Sequence, residues 1–565
     1  MTGIRVTQRP VSEGHIVTER RSKWLVVATV WLSFLLTSLV SAPIPAVNEP
    51  HYLAKARHDW DPTWCANDLF LESFSAHRVF YQTFGWLTLW LDFATVAIVG
   101  RAISLALLAA SWRSLVSRLL RAELICTSLD ALKPGAPAKL SPQEASLALQ
   151  ASISDGTNTS YGATSALLSA WMFLGLQAIG NLSGEWLIGG FESKVIAFAF
   201  VFWAIAAMLS RRLILAAVCS GVAISFHPIV GLWHLAALGI AELPQIKSHL
   251  KEYRRSLIAL GLLSVTASFG LLPAIDMLRI AKPDETFASN FIQVFYRLKH
   301  HLDPMDFGAS HFIGYGLLFA AWLLAMALMR RQQLLSAGDR WWVGYVLAAA
   351  LFAVGGLLAG WGPRPASLMT GFRWRMVLLK FYPFRLFDLL LPIAVASLLP
   401  RLIKSRWLWG VGVAGLSWAF VAHHVLPPAN QLPSAMRDDW RDVCRWVAAN
   451  TPNDAVFHTP FEAEAFKWFA QRAEYVNFKD CPQDAAGIVE WNRRLKFITQ
   501  WSEKSFNGDE TYSADELREL VRETNVRWAI TRTRVRYDVP QSGLLYSNDT
   551  YKILRLPEIV SADRR

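Results

Sequence analysis

Cysteine is scarce in this chain. There are five among 565 residues, Cys65, Cys126, Cys219, Cys444 and Cys481, and none stands at metal-ligand spacing. An odd number cannot all pair; Cys444 and Cys481 fall in one region and are either a disulfide or two free thiols, according to the compartment. Internal repeats are missing too, and the two halves of the apolar region do not resemble one another, which argues against the paired-repeat plan common among transporters. What is abundant is apolar and aromatic: 53% of residues are hydrophobic, with 25 Trp and 32 Phe. That composition excludes an ordinary soluble enzyme and points to a multi-spanning membrane protein. The net charge of +12 is not a nucleic-acid footprint. From residue 431 onward 20 basic residues balance 21 acidic ones, so the excess sits in the apolar part, where basic residues orient helices and meet lipid phosphates.

The chain reads as a polytopic α-helical protein of about eleven transmembrane helices followed by a soluble α/β domain. A polar tail (1–23) with Arg20, Arg21 and Lys23 precedes the first apolar run, Trp24 to Val47. About 20 apolar residues cross a bilayer, so this run spans, and its basic flank places the amino terminus in the cytoplasm; a cleavable signal peptide is the competing reading. The transmembrane region extends over 24–426, with further spans from Trp86, Gly162, Lys194, a pair of short helices turning at His227-Pro228, then Ser256 to Pro273, His311, Trp341, Met376 to Leu399 and Trp407. Outer loops are expected at 48–85, 182–194, 276–310 and 361–375, and a cytoplasmic segment at Arg113 to Tyr161. In the region 427–565 helices alternate with short apolar runs, which predicts a largely parallel sheet on the same side as the outer loops.

The first outer loop, NEPHYLAKARHDWDPTWCANDLFLESFSAHRVFYQTFG, carries Glu49, His51, Asp59, Asp61 and Asp68 and is the expected lip of an active site. The other loops add Glu185, Glu192, Arg364, Arg373 and Arg375, with Lys380 and Arg385 entering the next span. Three arginines in an outer loop of 15 residues oppose the positive-inside bias. An intramembrane arginine needs a partner, and a lipid phosphate would supply one. Against this, Arg385 and Asp388 stand three apart and would neutralise each other on one helix face. Glu49 before Pro50 would equally serve as a helix-end residue, Glu185 and Glu192 as solvated turn acids, and His227 as a packing residue.

This order of span, acidic loop, many spans and terminal α/β domain resembles the GT-C superfamily of integral membrane glycosyltransferases. Strings such as GEWLIGGFESK, PFRLFDLLLP, DDWRDVCRWVAANTP and RAEYVNFKDCPQDAAGIVEW are also similar to an uncharacterised family of bacterial multi-spanning proteins. The superfamily resemblance implies transfer of a sugar from a polyprenyl-phosphate donor to a glycan, lipid or protein acceptor at the outer face of the bacterial inner (plasma) membrane, in the cell envelope. Glu49 would then be the catalytic base with Asp59 second. Glu185, Glu192, His227 and His51 would orient sugar or acceptor, and Arg373, Arg375, Lys380 and Arg385 would bind the lipid phosphate. A divalent cation, Mg or Mn, would suit the two glutamates. Membrane lipids are the expected partners, nucleic acid is not, and the carboxyl end lies in the periplasm or outside the cell. A transporter or lipid flippase, and a non-catalytic scaffold, are the alternatives.

Overall fold

The structure, a computed structural model, describes residues 13–130, 156–179, 181–403, 405–425, 432–461, 465–505, 511–538, 540 and 543–557. In chain order its principal helices are α1 (Glu13–Ser41), α2 (Glu49–Trp60), α3 (Phe93–Asp130), α4 (Gly156–Ile179), α5 (Ser193–Leu209), α6 (Leu213–Phe226), α7 (Pro228–Glu242), α8 (Tyr253–Ile280), α9 (Pro283–Ile292), α10 (Ala309–Arg331), α11 (Ala337–Gly360), α12 (Phe372–Lys380), α13 (Arg385–Leu402) and α14 (Ser405–Val425). Among the described residues six stretches are long and apolar enough to cross a membrane, within α1, α3, α7 and its extension, α8, α10 and α11. The bent pair α12 and α13 makes a seventh if counted as one span, and α4, α5, α6 and α14 are apolar but shorter. The chain is a multi-pass membrane protein by this architecture.

Lipid offers helices no hydrophobic reason to associate, so close backbone approach and packing hold such a bundle together. Accordingly, a Cβ on Gly175 would collide with Gly415, and one on Gly270 with the Ser225 backbone. Around these contacts Phe34, Trp112, Phe173 and Phe202 are fully buried, with the Trp112 ring centroid 6.0 Å from Phe34 and 5.0 Å from Phe173.

Several expected boundaries move. The second span starts at Phe93, not Trp86, because Asp92 accepts the Thr95 amide at 3.0 Å and caps the helix. Helix α3 continues to Asp130, past the point where a polar segment was expected; residues 131–155 lie outside the described ones. Likewise α8 runs through Pro273 to Ile280, so the third loop opens as helix. The single span expected over Met376 to Leu399 is two helices bent by 52°, and Arg385 is the first residue after the bend.

The carboxyl-terminal region adds α15 (Ser434–Asn450), α16 (Ala485–Ser505) and α17 (Ala514–Thr524) to strands β1 (Val456–His458), β2 (Ala473–Glu474), β3 (Thr511–Tyr512), β4 (Trp528–Arg532), β5 (Arg536–Tyr537), β6 (Leu544–Ser547) and β7 (Tyr551–Arg555). The five-stranded sheet has the order β2-β1-β4-β7-β6. Its first three strands are parallel, but β4 pairs β7 and β6 pairs β7 antiparallel. The sheet is therefore mixed rather than largely parallel, since the short β6–β7 connection permits only a hairpin. Trp440, Val443 and Cys444 of α15 pack with Phe457, Ile530 and Tyr551, while Trp491, Leu495 and Ile498 of α16 pack with Leu517, Ala529 and Leu554. Cys444 and Cys481 are free thiols.

Candidate functional site

The site is organised by the loop 181–192 between α4 and α5. Two helices pin it. The Asp388 carboxylate of α13 accepts the amides of Leu182, Ser183 (2.9 Å) and Glu185 (3.1 Å) and the Ser183 hydroxyl (2.8 Å). Gln177 Oε1 of α4 accepts the amides of Leu187 and Ile188 at 2.8 and 3.0 Å. Asp388 is thus consumed by backbone and does not neutralise Arg385.

The pinned loop presents Glu185 between two cations. Arg385 Nε donates to Glu185 Oε2 and Lys194 Nζ to Oε1, each at 2.6 Å, while Lys194 also lies 3.4 Å from Glu192 Oε2 and 3.7 Å above the Trp186 ring. Glu192 Oε1 accepts from Asn48 Nδ2 at 2.8 Å, and Arg385 Nη1 stands 3.1 Å from His227 Nε2. Burial by itself would raise the Glu185 carboxyl, but Arg385 and Lys194 beside it hold it at about 2. Glu192 is pushed up by burial, with Lys194 opposing only in part.

This ion-pair chain forms part of the wall of a cavity of about 620 Å³. Among its lining residues Lys194, Arg297, Lys380, Arg385 and Lys479 outnumber the two carboxylates Glu185 and Glu192. Arg297 belongs to a π-helical turn, Gln293–Arg297, and its Nη2 donates to the Lys479 carbonyl at 2.9 Å. Burial lowers two histidines of this wall, His77 and His301, to about 4, so both are neutral. The lining also has an apolar part, with Ile229, Leu232 and Trp233 of α7 and Leu271, Ile275 and Leu278 of α8. Leu232 and Leu278 are 43% and 49% exposed, so this wall continues into the lipid-facing surface.

Helix α2 forms the lip. Pro50 in the first turn and Arg57 and His58 in the last suit a helix start and end, and Tyr52, Leu53 and Ala56 bury against Phe80, Tyr81 and Phe191. The helix turns His51, Tyr52 and Asn48 to the cavity but not Glu49. Glu49 is fully buried: Oε1 accepts from Arg101 Nε (2.6 Å) and the Phe191 amide (2.8 Å), Oε2 from Arg101 Nη2 (2.8 Å) and the Ala46 amide (2.7 Å). These bonds fill its hydrogen-bonding positions and tie α2 to α3 and the loop.

The structure brings together Glu185, Glu192, His227, His51, Lys380 and Arg385 from the expected set. It sets others apart. Asp59 accepts from Gln82 at an exposed position, and Asp61, at Asp-x-Asp spacing from it, binds Thr63. Arg373 is exposed above the Phe287 ring at 5.3 Å, and Arg375 donates to the Trp361 carbonyl at 3.0 Å. Sequence reasoning missed Lys194, treated as the opening of a span, and Arg297, Lys479 and His77. A basic residue at the start of a helix, where the dipole disfavours it, is the signal that would have found Lys194.

Lys194 Nζ already stands between Glu185 and Glu192, where a divalent cation would need to be. Among the described residues no three His, Cys, Asp or Glu side chains converge on a metal position. The residues do not fit the expected Mg or Mn, and the chemistry below uses none.

Residues 438–498 match the model of a domain of unknown function, DUF6798. No match was found among curated proteins. Among solved structures the chain is similar to ArnT from Cupriavidus metallidurans bound to undecaprenyl phosphate, at 12% identity and a TM-score of 0.37, over 96% of this chain and 98% of that one. It is also similar to the apo oligosaccharyltransferase of Archaeoglobus fulgidus (10%, TM-score 0.39, 90% and 69% covered). The oligosaccharyltransferase AglB of that organism, in complex with an inhibitory peptide and a dolichol-phosphate, gives 14%, a TM-score of 0.34 and the same coverage.

Proposed function

We propose that the chain is a GT-C-type glycosyltransferase, taking a sugar from a polyprenyl-phosphate donor to an acceptor at the outer face of the bacterial inner membrane, with residues 427–565 on that same side. The observation that carries this is the cavity lining, in which five cations stand against two carboxylates and apolar residues of α7 and α8 share the wall. An amphiphile with an anionic head and a long hydrocarbon tail matches both kinds of lining. Arg385, Arg297, Lys380 and Lys479 bind the phosphate and stabilise the charge it gains as leaving group, each well-placed donor contributing about 3 kcal/mol at the transition state. Glu185 aims Arg385, and Glu192, with its raised pKa and its Asn48 contact, orients a sugar hydroxyl.

The test is cryo-electron microscopy of the protein in nanodiscs with and without undecaprenyl phosphate. Phosphate density on Arg385 and Arg297, with the tail between α7 and α8, is the expected result. Lipid that does not bind, or a passage opening to the opposite membrane face, overturns the proposal, the latter in favour of a flippase.

A further inference from the structure

We infer that His51 of α2 and Asp480 of the carboxyl-terminal region form a dyad in which His51 is the general base that deprotonates the acceptor and Asp480 is its positioning residue. This rests on the transferase reading above. It also reassigns the base from the first loop's glutamate to a pair that only the fold assembles.

The geometry is specific. His51 Nδ1 lies 3.0 Å from Asp480 Oδ1 across 429 residues of sequence. Asp480 is itself held: Lys467 Nζ stands 2.7 Å from Oδ2, Asn477 Nδ2 donates to Oδ2 at 3.2 Å, and the Asp480 amide donates to Asn477 Oδ1 at 2.8 Å. Lys467 is shared with Asp68 (3.0 Å) and Glu474 (3.2 Å), which ties the first loop to the sheet. The His51 ring lies against Phe70, with centroids 4.0 Å apart. A carboxylate at Nδ1 requires that nitrogen to carry the proton, so Nε2 holds the free lone pair. His51 lines the cavity, its side chain is 16% exposed, and Nε2 has no partner among the described residues. Glu185 and Glu192 are by contrast 5% and 2% exposed, and both are already paired. Burial lowers the His51 pKa while Asp480 opposes that fall, with Lys479, Arg297 and His77 the other charged or titratable groups facing it. The ring is therefore a neutral base at pH 7 with its imidazolium form supported.

In the step, the acceptor O–H proton passes to His51 Nε2 and the acceptor oxygen bonds to the anomeric carbon. The bond from that carbon to the phosphate oxygen breaks, and its electron pair leaves with the phosphate toward Arg385 and Arg297. Asp480 stabilises the imidazolium and stays ionised.

The test is carbethoxylation of His51 by diethyl pyrocarbonate, followed by mass spectrometry against pH, in the full-length wild type and in Asp480→Asn. The Asn is isosteric and leaves Lys467 with Asp68 and Glu474. Neutral imidazole reacts. We expect His51 to be modified, the midpoint of its pH dependence to fall by about 1 unit or more in D480N, and undecaprenyl phosphate to protect it. With undecaprenyl-phosphate-linked hexoses, H51Q lowers kcat by about 10²–10⁴ with lipid binding unchanged, and D480N displaces the acidic limb of the pH–rate profile. An inert His51, a midpoint that D480N does not move, or an H51Q enzyme with wild-type kcat overturns the dyad as base. A reactive, Asp480-coupled His51 in a wild type that neither binds undecaprenyl phosphate nor turns over such donors overturns the transferase reading instead, and the base role with it.

Discussion

Two carboxylate–arginine pairs, Glu49 with Arg101 and Glu185 with Arg385, are built alike and placed differently. Each joins a glutamate to a helix arginine at 2.6 Å. Around Glu49 and Arg101 nothing is open: both side chains are 0% exposed, and Arg101 Nη1 spends its remaining protons on the Ser38 and Ala42 carbonyls. Glycine at 190 completes the seal, since a Cβ there would lie 3.1 Å from Glu49 Cγ. Arg385, in contrast, is 14% exposed, touches His227 and faces the cavity. The lesson is that the chemistry of an ion pair does not distinguish a lock from a site. Leftover hydrogen-bonding capacity beside empty volume does.

The sharpest way to break this contrast is Glu49→Ala. It strands a buried guanidinium, which costs about 3–5 kcal/mol, so thermal unfolding in detergent should show a large loss of stability. A stable E49A protein that binds lipid normally but lacks turnover would instead return Glu49 to catalysis. Arg385→Gln should act the other way, lowering undecaprenyl phosphate affinity about 10- to 100-fold, as expected for loss of a charged hydrogen bond of about 1.5–3 kcal/mol, with a smaller change in melting temperature. An affinity equal to wild type would remove Arg385 from the phosphate site.

A pH titration probes the cavity pair directly. The Glu185 carboxyl is held at about 2 against an ordinary 4.5, so its contribution to stability is complete above 4.5 and is lost as pH falls from 4.5 toward 2. The melting-temperature gap between wild type and Glu185→Gln should be flat above about pH 5 and close below it. A gap that instead closes near neutrality would contradict the pairing with Arg385 and Lys194. The smallest effect is expected at Arg373→Ala. This exposed side chain rests on Phe287 outside the cavity, and its loss should change stability by less than about 0.5 kcal/mol and leave lipid binding as it was.

Much of the fold was legible because lipid imposes a length and an apolar composition on whatever crosses it. Helices α5 and α6, the turn at His227-Pro228 and the helices α15, α16 and α17 stand close to where periodicity and punctuation place them. Misplaced boundaries share a cause. Asp92 caps a helix from outside it, Pro273 is carried inside one, and the α12–α13 bend falls at Lys380 to Arg385, around Pro383. In each case a local signal, a capping Asp or a proline, stands at the misplaced boundary, which apolar length alone does not set.

For the site, the order of residues sets which types have to find partners. Glu185, Glu192, Lys380 and Arg385 sit in or beside apolar segments, and a charge there is too costly to leave unmatched. The matching itself comes with the packing of the helices. Arg101 could have met any of several loop acids, yet α2 turns Glu49 inward to it and turns His51 outward to the cavity. Asp388 stands three residues from Arg385 but goes to the amides of the 181–192 loop. Asp480 reaches His51 across 429 residues. Partner choice depends on distance in space, which falls within hydrogen-bond range only after the helices have packed. Spacing along a chain does not encode it.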